Sequence, residues 1–150
     1  MNPLLLWAGI IYFFTKGKSK KLSNPLSASG KITSAYGERT NPITGKKEFH
    51  NGIDIEVPVG SFLKSPANGK VLSVYESELG GLQIVLLHDN SMKTGYAHLS
   101  KALVKVGEKV SKGKLFALTG KSGKVTGAHL HFSLRDADNN YLNPAKYISF

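Results

Sequence analysis

Two histidines one residue apart, His129 and His131, lie in Thr-Gly-Ala-His-Leu-His-Phe-Ser-Leu, residues 126–134. Leu130, Phe132 and Leu134 alternate with His129, His131 and Ser133, the pattern of a strand with one face in a core. The apolar three then point inward and the imidazoles share the opposite face. There a rigid strand can aim two ring nitrogens at one point, as part of a zinc shell. Taken alone, His-x-His serves equally well for two ordinary strand histidines. A second pair shifts the balance. His50 precedes Asp54 by four positions, and in an extended chain residues 50, 52 and 54 share a face. Position 52 is glycine, so nothing blocks the space between them. One histidine, one aspartate and one member of the His-x-His pair make three ligands. Three protein ligands plus a position open to water describe a catalytic zinc centre; a structural one is usually closed by four. Spacing does not choose between His129 and His131, and the same donors suit other divalent metals. His98, in Tyr96-Ala97-His98-Leu99, is a candidate general base beside the surplus histidine. Zinc brings the pKa of its bound water to about 7, so these are parts for metal-assisted hydrolysis of an amide. His88, beside Asp89 in an expected turn, is assigned no chemistry.

The elements that must position these groups read as short strands. Ile32–Tyr36 is a first strand and residues 37–49 a polar loop. Ile53, Ile55 and Val57 alternate with Asp54 and Glu56. Val71–Tyr75, Leu82–Leu87, Met92–Leu99, Leu115–Leu118 and Leu130–Leu134 follow. Gly80-Gly81 and residues 88–91 supply turns. Only Pro144–Ile148 invites a helix, capped by Asn143 with proline at its first position. The pattern predicts an all-β, antiparallel, sandwich- or barrel-like core.

Residues 3–14 are uncharged and almost wholly apolar, and Lys16, Lys18, Lys20 and Lys21 follow at once. A helix of this length covers roughly 20 Å, short of a hydrocarbon core of about 30 Å, though lysine snorkelling extends its reach. A secretory signal carries its positive charge before the apolar run and a small-residue cleavage site after it; here the charge comes after. The expectation is an N-terminal hydrophobic helix over residues 1–15, serving as an uncleaved membrane anchor through residues 3–14. A basic flexible linker is expected over 16–29, and the functional domain over 30–150. The chain has 150 residues, 41% of them hydrophobic, enough for one domain with a real core. It has no cysteine, which excludes disulfides, thiolate metal sites and cysteine nucleophiles. Its 20 basic and 10 acidic residues give a formal charge of +10, which favours an anionic partner. The basic region interleaves few aromatics, so nucleic acid is not expected.

Three segments carry a resemblance. His50-Asn-Gly-Ile-Asp54-Ile, Tyr96-Ala-His98-Leu and Thr126-Gly-Ala-His129-Leu-His131-Phe resemble the signature motifs of the lysostaphin/LytM-type zinc endopeptidases, in the same order. Ile32–Arg39 with Pro42–Gly45, Ser65–Val71 and Val106–Gly113 are similar to the family's flanking segments, so the likeness runs from about Gly30 to Ile148. It implies a core of the duplicated hybrid motif type. It implies one zinc ion per chain on His50, Asp54 and His131, with His98 and His129 acting on the water and the tetrahedral intermediate. It also implies a substrate groove between the residue 37–49 and 121–126 loops, with Arg39, Tyr96 and Thr126 at the substrate, and cleavage of peptide cross-links in peptidoglycan. Ala128 stands where proline is usual in that family and Ser133 where an acidic residue is frequent; neither removes a ligand.

The alternative is a non-catalytic peptidoglycan-binding or activator module of the same fold. Its sign would be a lost ligand, and all five positions are intact. A carrier domain using paired histidines without metal does not need Asp54 at ligand spacing. The lysines after the apolar segment favour a cytoplasmic domain, whereas peptidoglycan lies outside the membrane. Two arrangements reconcile these: the segment inserts against the tendency, placing the domain in the cell envelope, or the chain is a phage protein carried on a virion.

Overall fold

The computed structural model describes residues 22–150. Twelve strands follow in order: β1 Lys31–Ser34, β2 Gly37–Thr40, β3 Lys47–His50, β4 Gly52–Glu56, β5 Phe62–Lys64, β6 Gly69–Ser77, β7 Gly81–His88, β8 Lys93–Ala102, β9 Lys109–Val110, β10 Leu115–Thr119, β11 Leu130–Arg135 and β12 Tyr141–Leu142. Ten of them join in one antiparallel sheet whose main path runs β1-β4-β11-β8-β7-β6-β9. β10 branches from the far end of β8 to reach β5, and β12 pairs β11. The all-β expectation holds. The expected helix is a single 3-10 turn, Pro144–Lys146, with the Asn143 side chain accepting from the Ala145 N–H as a cap. The expected hydrophobic helix and anchor fall within residues 1–21, outside the described residues. Among the described residues no helix is long and apolar enough to cross a membrane.

β11 is the middle of the construction. Leu130, Phe132 and Leu134 are fully buried, each contributing about 1.5–3 kcal/mol by leaving water. Period-two alternation therefore turns His131, Ser133 and Arg135 to the open face. β4 lies on one side in register, His131 opposite Asp54 and Ser133 opposite Gly52. β8 lies on the other, His131 opposite Ala97 and Ser133 opposite Gly95.

Two expectations change. Residues 37–49 are not a plain loop: β2 and β3 form a separate hairpin. It carries no hydrophobic alternation, because polar cross-strand pairing holds it. Arg39 Nε bonds Glu48 at 2.9 Å, and Asn41 accepts from the N–H groups of Ile43 and Thr44 in the turn. The linker expected over 16–29 also ends early. Leu22 and Leu26 are in the core, and the Lys64 N–H bonds Pro25 O at 2.8 Å. The packed domain therefore extends back to Leu22 and Leu26, each of which fills a core position.

Candidate metal centre

Neighbouring strand ends bring three donor atoms to one point. His50 closes β3, Asp54 sits in β4 and His131 in β11. His50 Nε2 lies 3.1 Å from His131 Nδ1 and 3.2 Å from Asp54 Oδ1; His131 Nδ1 lies 2.8 Å from Asp54 Oδ1. Together they make the one His/Cys/Asp/Glu group among the described residues with metal-holding geometry. The set fits a cation on chemical grounds. His50 donates its Nδ1–H to Ala35 O at 2.8 Å, which fixes the tautomer with an Nε2 lone pair turned to the centre. A single proton, on His131 Nδ1, cannot satisfy both that lone pair and the carboxylate. The triangle's sides are close to the roughly 3.3 Å edge of a tetrahedron with zinc-ligand bonds of about 2.0–2.1 Å. Burial works against the charge on Asp54, but hydrogen bonds and charge from His131 and His50 outweigh it and hold the carboxyl far below the usual range. The Asp54 carboxylate is therefore ionised at neutral pH.

Arg39, expected at the substrate, lines the hollow beside the metal centre and also braces one of its donors. Its Nη1 donates to Asp54 Oδ2 at 2.9 Å and to Ser34 Oγ at 2.8 Å. A guanidinium on the outer oxygen leaves Oδ1 turned inward, the arrangement by which outer partners orient a ligand. Tyr96 is a correction. It is 2% exposed, packs edge-on against Phe116 and Phe132 and bonds Thr94 through its hydroxyl; its side chain belongs to the core. Position 96 lies on the inward face of β8, which the motif's letters do not show.

His98 and His129 stand beside the centre, their rings 4.7 Å apart. Each donates Nδ1–H to a backbone carbonyl, His98 to Ser122 O at 2.9 Å and His129 to Gly127 O at 3.0 Å. Both therefore turn an Nε2 lone pair away from those bonds, and His129 Nε2 comes to 3.9 Å from Asp54 Oδ1. Burial pushes His98 below its ordinary value, the charges of His129 and His131 add to the shift, and the Ser122 carbonyl opposes it. His98 is thus a neutral base at pH 7. Its placement rests on a β-bulge: the β8 pairing with β7 shifts register between the partners of Leu82 and Ile84, and His98 has φ +62°. Bulges re-aim side chains in this way, at a strain cost of about 1–2 kcal/mol for a non-glycine residue.

Sequence reasoning missed Ala35, Ser122 and Gly127, because their carbonyls orient the rings and a carbonyl leaves no mark in a sequence. Ser122 also anchors its loop, donating Oγ–H to Leu99 O at 2.6 Å. His50, Asp54 and His131 meet, with His98, His129, Arg39 and Thr126 around them. The last six, without His50, line a hollow of about 120 Å³ that includes Ile43. A larger cleft of about 620 Å³ lies elsewhere, by Lys70, His88 and Lys109; it has no ligand set. His88 is buried, with its Nε2 2.8 Å from Thr94 Oγ1.

The profile of Peptidase family M23 matches residues 48–144, a stretch that holds all four site histidines and Asp54. The chain belongs to Peptidase family M23. It is 41% identical over 104 residues to the peptidoglycan DD-endopeptidase ShyB of Vibrio cholerae, covering 69% of this chain and 24% of ShyB. It is 38% identical over 111 residues to ShyA of the same organism, covering 73% of this chain and 26% of ShyA. The chain thus spans about a quarter of the length of these curated relatives. Among solved structures, a zinc-containing peptidase from Vibrio cholerae superposes with TM-score 0.74 at 37% identity, over 80% of this chain and 37% of that one. The catalytic domain of lysostaphin from Staphylococcus simulans superposes with TM-score 0.70 at 30% identity, over 79% of this chain and 91% of that one. In this M23 domain His50, Asp54 and His131 form a metal site suited to zinc.

Proposed function

We propose that this M23 chain is a zinc endopeptidase that hydrolyses peptide cross-links of bacterial peptidoglycan. The observation that carries the reading is the convergence of three ligand atoms on one point, with two further imidazoles turned toward the same hollow. His50, Asp54 and His131 hold the metal, one zinc ion per chain. When bound, zinc polarises a carbonyl and acidifies water. The neutral His98 Nε2 takes the proton from the attacking water and returns it to the departing amine nitrogen. His129, its Nε2 turned to the same hollow, would act at the oxygen that gains charge as the carbonyl becomes tetrahedral. Arg39 keeps Asp54 oriented, and Thr126, with Lys124 and Val125, walls the substrate side. The test is digestion of purified cell walls by the full chain, with and without a chelator, and identification of new termini by mass spectrometry. Chelator-sensitive amino termini within stem or bridge peptides are expected. No release from several wall types by a chain shown to hold zinc would overturn the reading and favour the binding module.

Residues 3–14 are proposed to tether the domain to a lipid membrane, uncleaved, at the cell envelope or on a phage virion, with residues 16–21 as the basic spacer. The support is the apolar run and its lysines. Protease added to intact spheroplasts is expected to digest the domain without lysis; a protected domain would overturn an outward orientation.

A further inference from the structure

His131 lines two hollows. One holds the catalytic histidines. The other, about 160 Å³, runs along the open face of the sheet and is lined by His131, Ser133, Arg135, Gly95, Gln83 and Tyr141, among others. The register explains it. Beside the metal row of Asp54, His131 and Ala97 comes a row of Gly52, Ser133 and Gly95. Three side chains there amount to one hydroxymethyl group, so the row is a trough. Gly52 cannot be filled cheaply, because a Cβ there would stand 2.3 Å from Phe132 O; at Gly95 a Cβ would meet only the Ser133 hydroxyl, 2.5 Å away, which can rotate aside.

The trough ends on a cation. Arg135 lies two residues past Ser133 on the same face, opposite Lys93 and Tyr141. Its guanidinium carbon sits 5.7 Å from the Tyr141 ring centroid, and Arg135 makes no ion pair among the described residues. The neighbouring charges are occupied: Lys93 Nζ donates to Asn139 Oδ1 at 2.7 Å, and Asp136 accepts from Asn140 and from the N–H groups of Asp138 and Asn140. An acidic residue at 133 would face Arg135; serine leaves it without a partner. A planar, aromatic-backed guanidinium with two free edges matches a carboxylate.

We propose that Arg135 is a specificity-determining residue, binding a carboxylate of the substrate peptide that lies in the trough. The proposal rests on the endopeptidase reading. Four strand residues from His131 to Arg135 cover roughly 13 Å, which an extended peptide spans in roughly four residues. The carboxylate therefore stands about three to four residues from the bond that is cut.

The test uses the zinc-loaded full chain and a soluble peptidoglycan fragment containing the cleaved bond, with carboxylates free or amidated. One charge-assisted pair corresponds to about 10- to 100-fold, so amidation is expected to lower kcat/KM of the wild type by that factor. Arg135→Gln cleaves both fragments at the amidated rate, Arg135→Lys keeps part of the preference, and Ser133→Glu behaves like Arg135→Gln by occupying the guanidinium internally. Equal slowing on both fragments, or a preference that survives in Arg135→Gln, overturns the proposal. Calorimetry of the uncleaved fragment with chelator-treated full chain separates it from the activity. An Arg135-dependent carboxylate preference in binding without cleavage upholds the subsite while the endopeptidase reading falls. Chelator-sensitive cleavage without a preference does the reverse.

Discussion

Replacing His131 with alanine is expected to abolish zinc binding and wall cleavage together. The substitution leaves His50 and Asp54, two donors where a catalytic zinc centre uses three. It also removes the strongest hydrogen bond that keeps Asp54 ionised against its burial. Loss of an outer-sphere partner typically costs about 10–100-fold in metal affinity or activity; loss of a ligand exceeds that. The fold should survive, because His131 sits on the open face while Leu130 and Phe132, fully buried on either side, hold the strand. Metal content after dialysis, thermal melting and release of wall peptides by the full chain measure the three parts. A folded His131→Ala chain that keeps a full zinc complement and cleaves walls at the wild-type rate would falsify the ligand assignment.

The strands that carry the chemistry were legible because period two is a local signal. Leu130, Phe132 and Leu134 announced β11, and Ile53 and Ile55 announced β4, so the faces of His131 and Asp54 followed. Gly52 was read as clearance between His50 and Asp54, but the structure gives it a further reason. A Cβ there would also come within 2.9 Å of His131 Cε1. What failed was everything set by non-local partners. β5, β9 and β12 are two or three residues long, too short for any alternation to appear. The β2–β3 hairpin rests on Arg39, Glu48 and Asn41, residues that also populate loops. Arg39 was expected at the substrate from the family resemblance; only the pairing of β2 with β3 shows that its guanidinium also bonds Asp54. Tyr96 failed for the opposite reason, since a motif records which residues are present and not which face they occupy.

His98→Ala is expected to lower kcat by about 10²–10⁴-fold, the range for a positioned general base, with zinc content unchanged. The contrast with His131→Ala is the point of making both. The ring of His98 is 6.4 Å from that of His131, and its Nδ1 is bound to Ser122 O, so it can be deleted without opening the ligand triangle. Backbone strain does not confound the result. His98 already occupies φ +62°, and alanine there bears the same left-handed cost, so the bulge has no new reason to relax. His98→Asn supplies a companion that tolerates this conformation better and still lacks a base. Both variants losing activity with metal retained places a proton acceptor at residue 98. Wild-type activity in either would move that role to His129, whose Nε2 shares the hollow. Loss of zinc in both would instead make the bulge a support for the metal site, because the strand that carries His98 also pairs Ala97 with His131. The strain held at residue 98 has a rationale only in the first case: an ordinary strand residue would leave its side chain on one flat face of the sheet, whereas a bulge turns one imidazole toward a neighbour on the next strand.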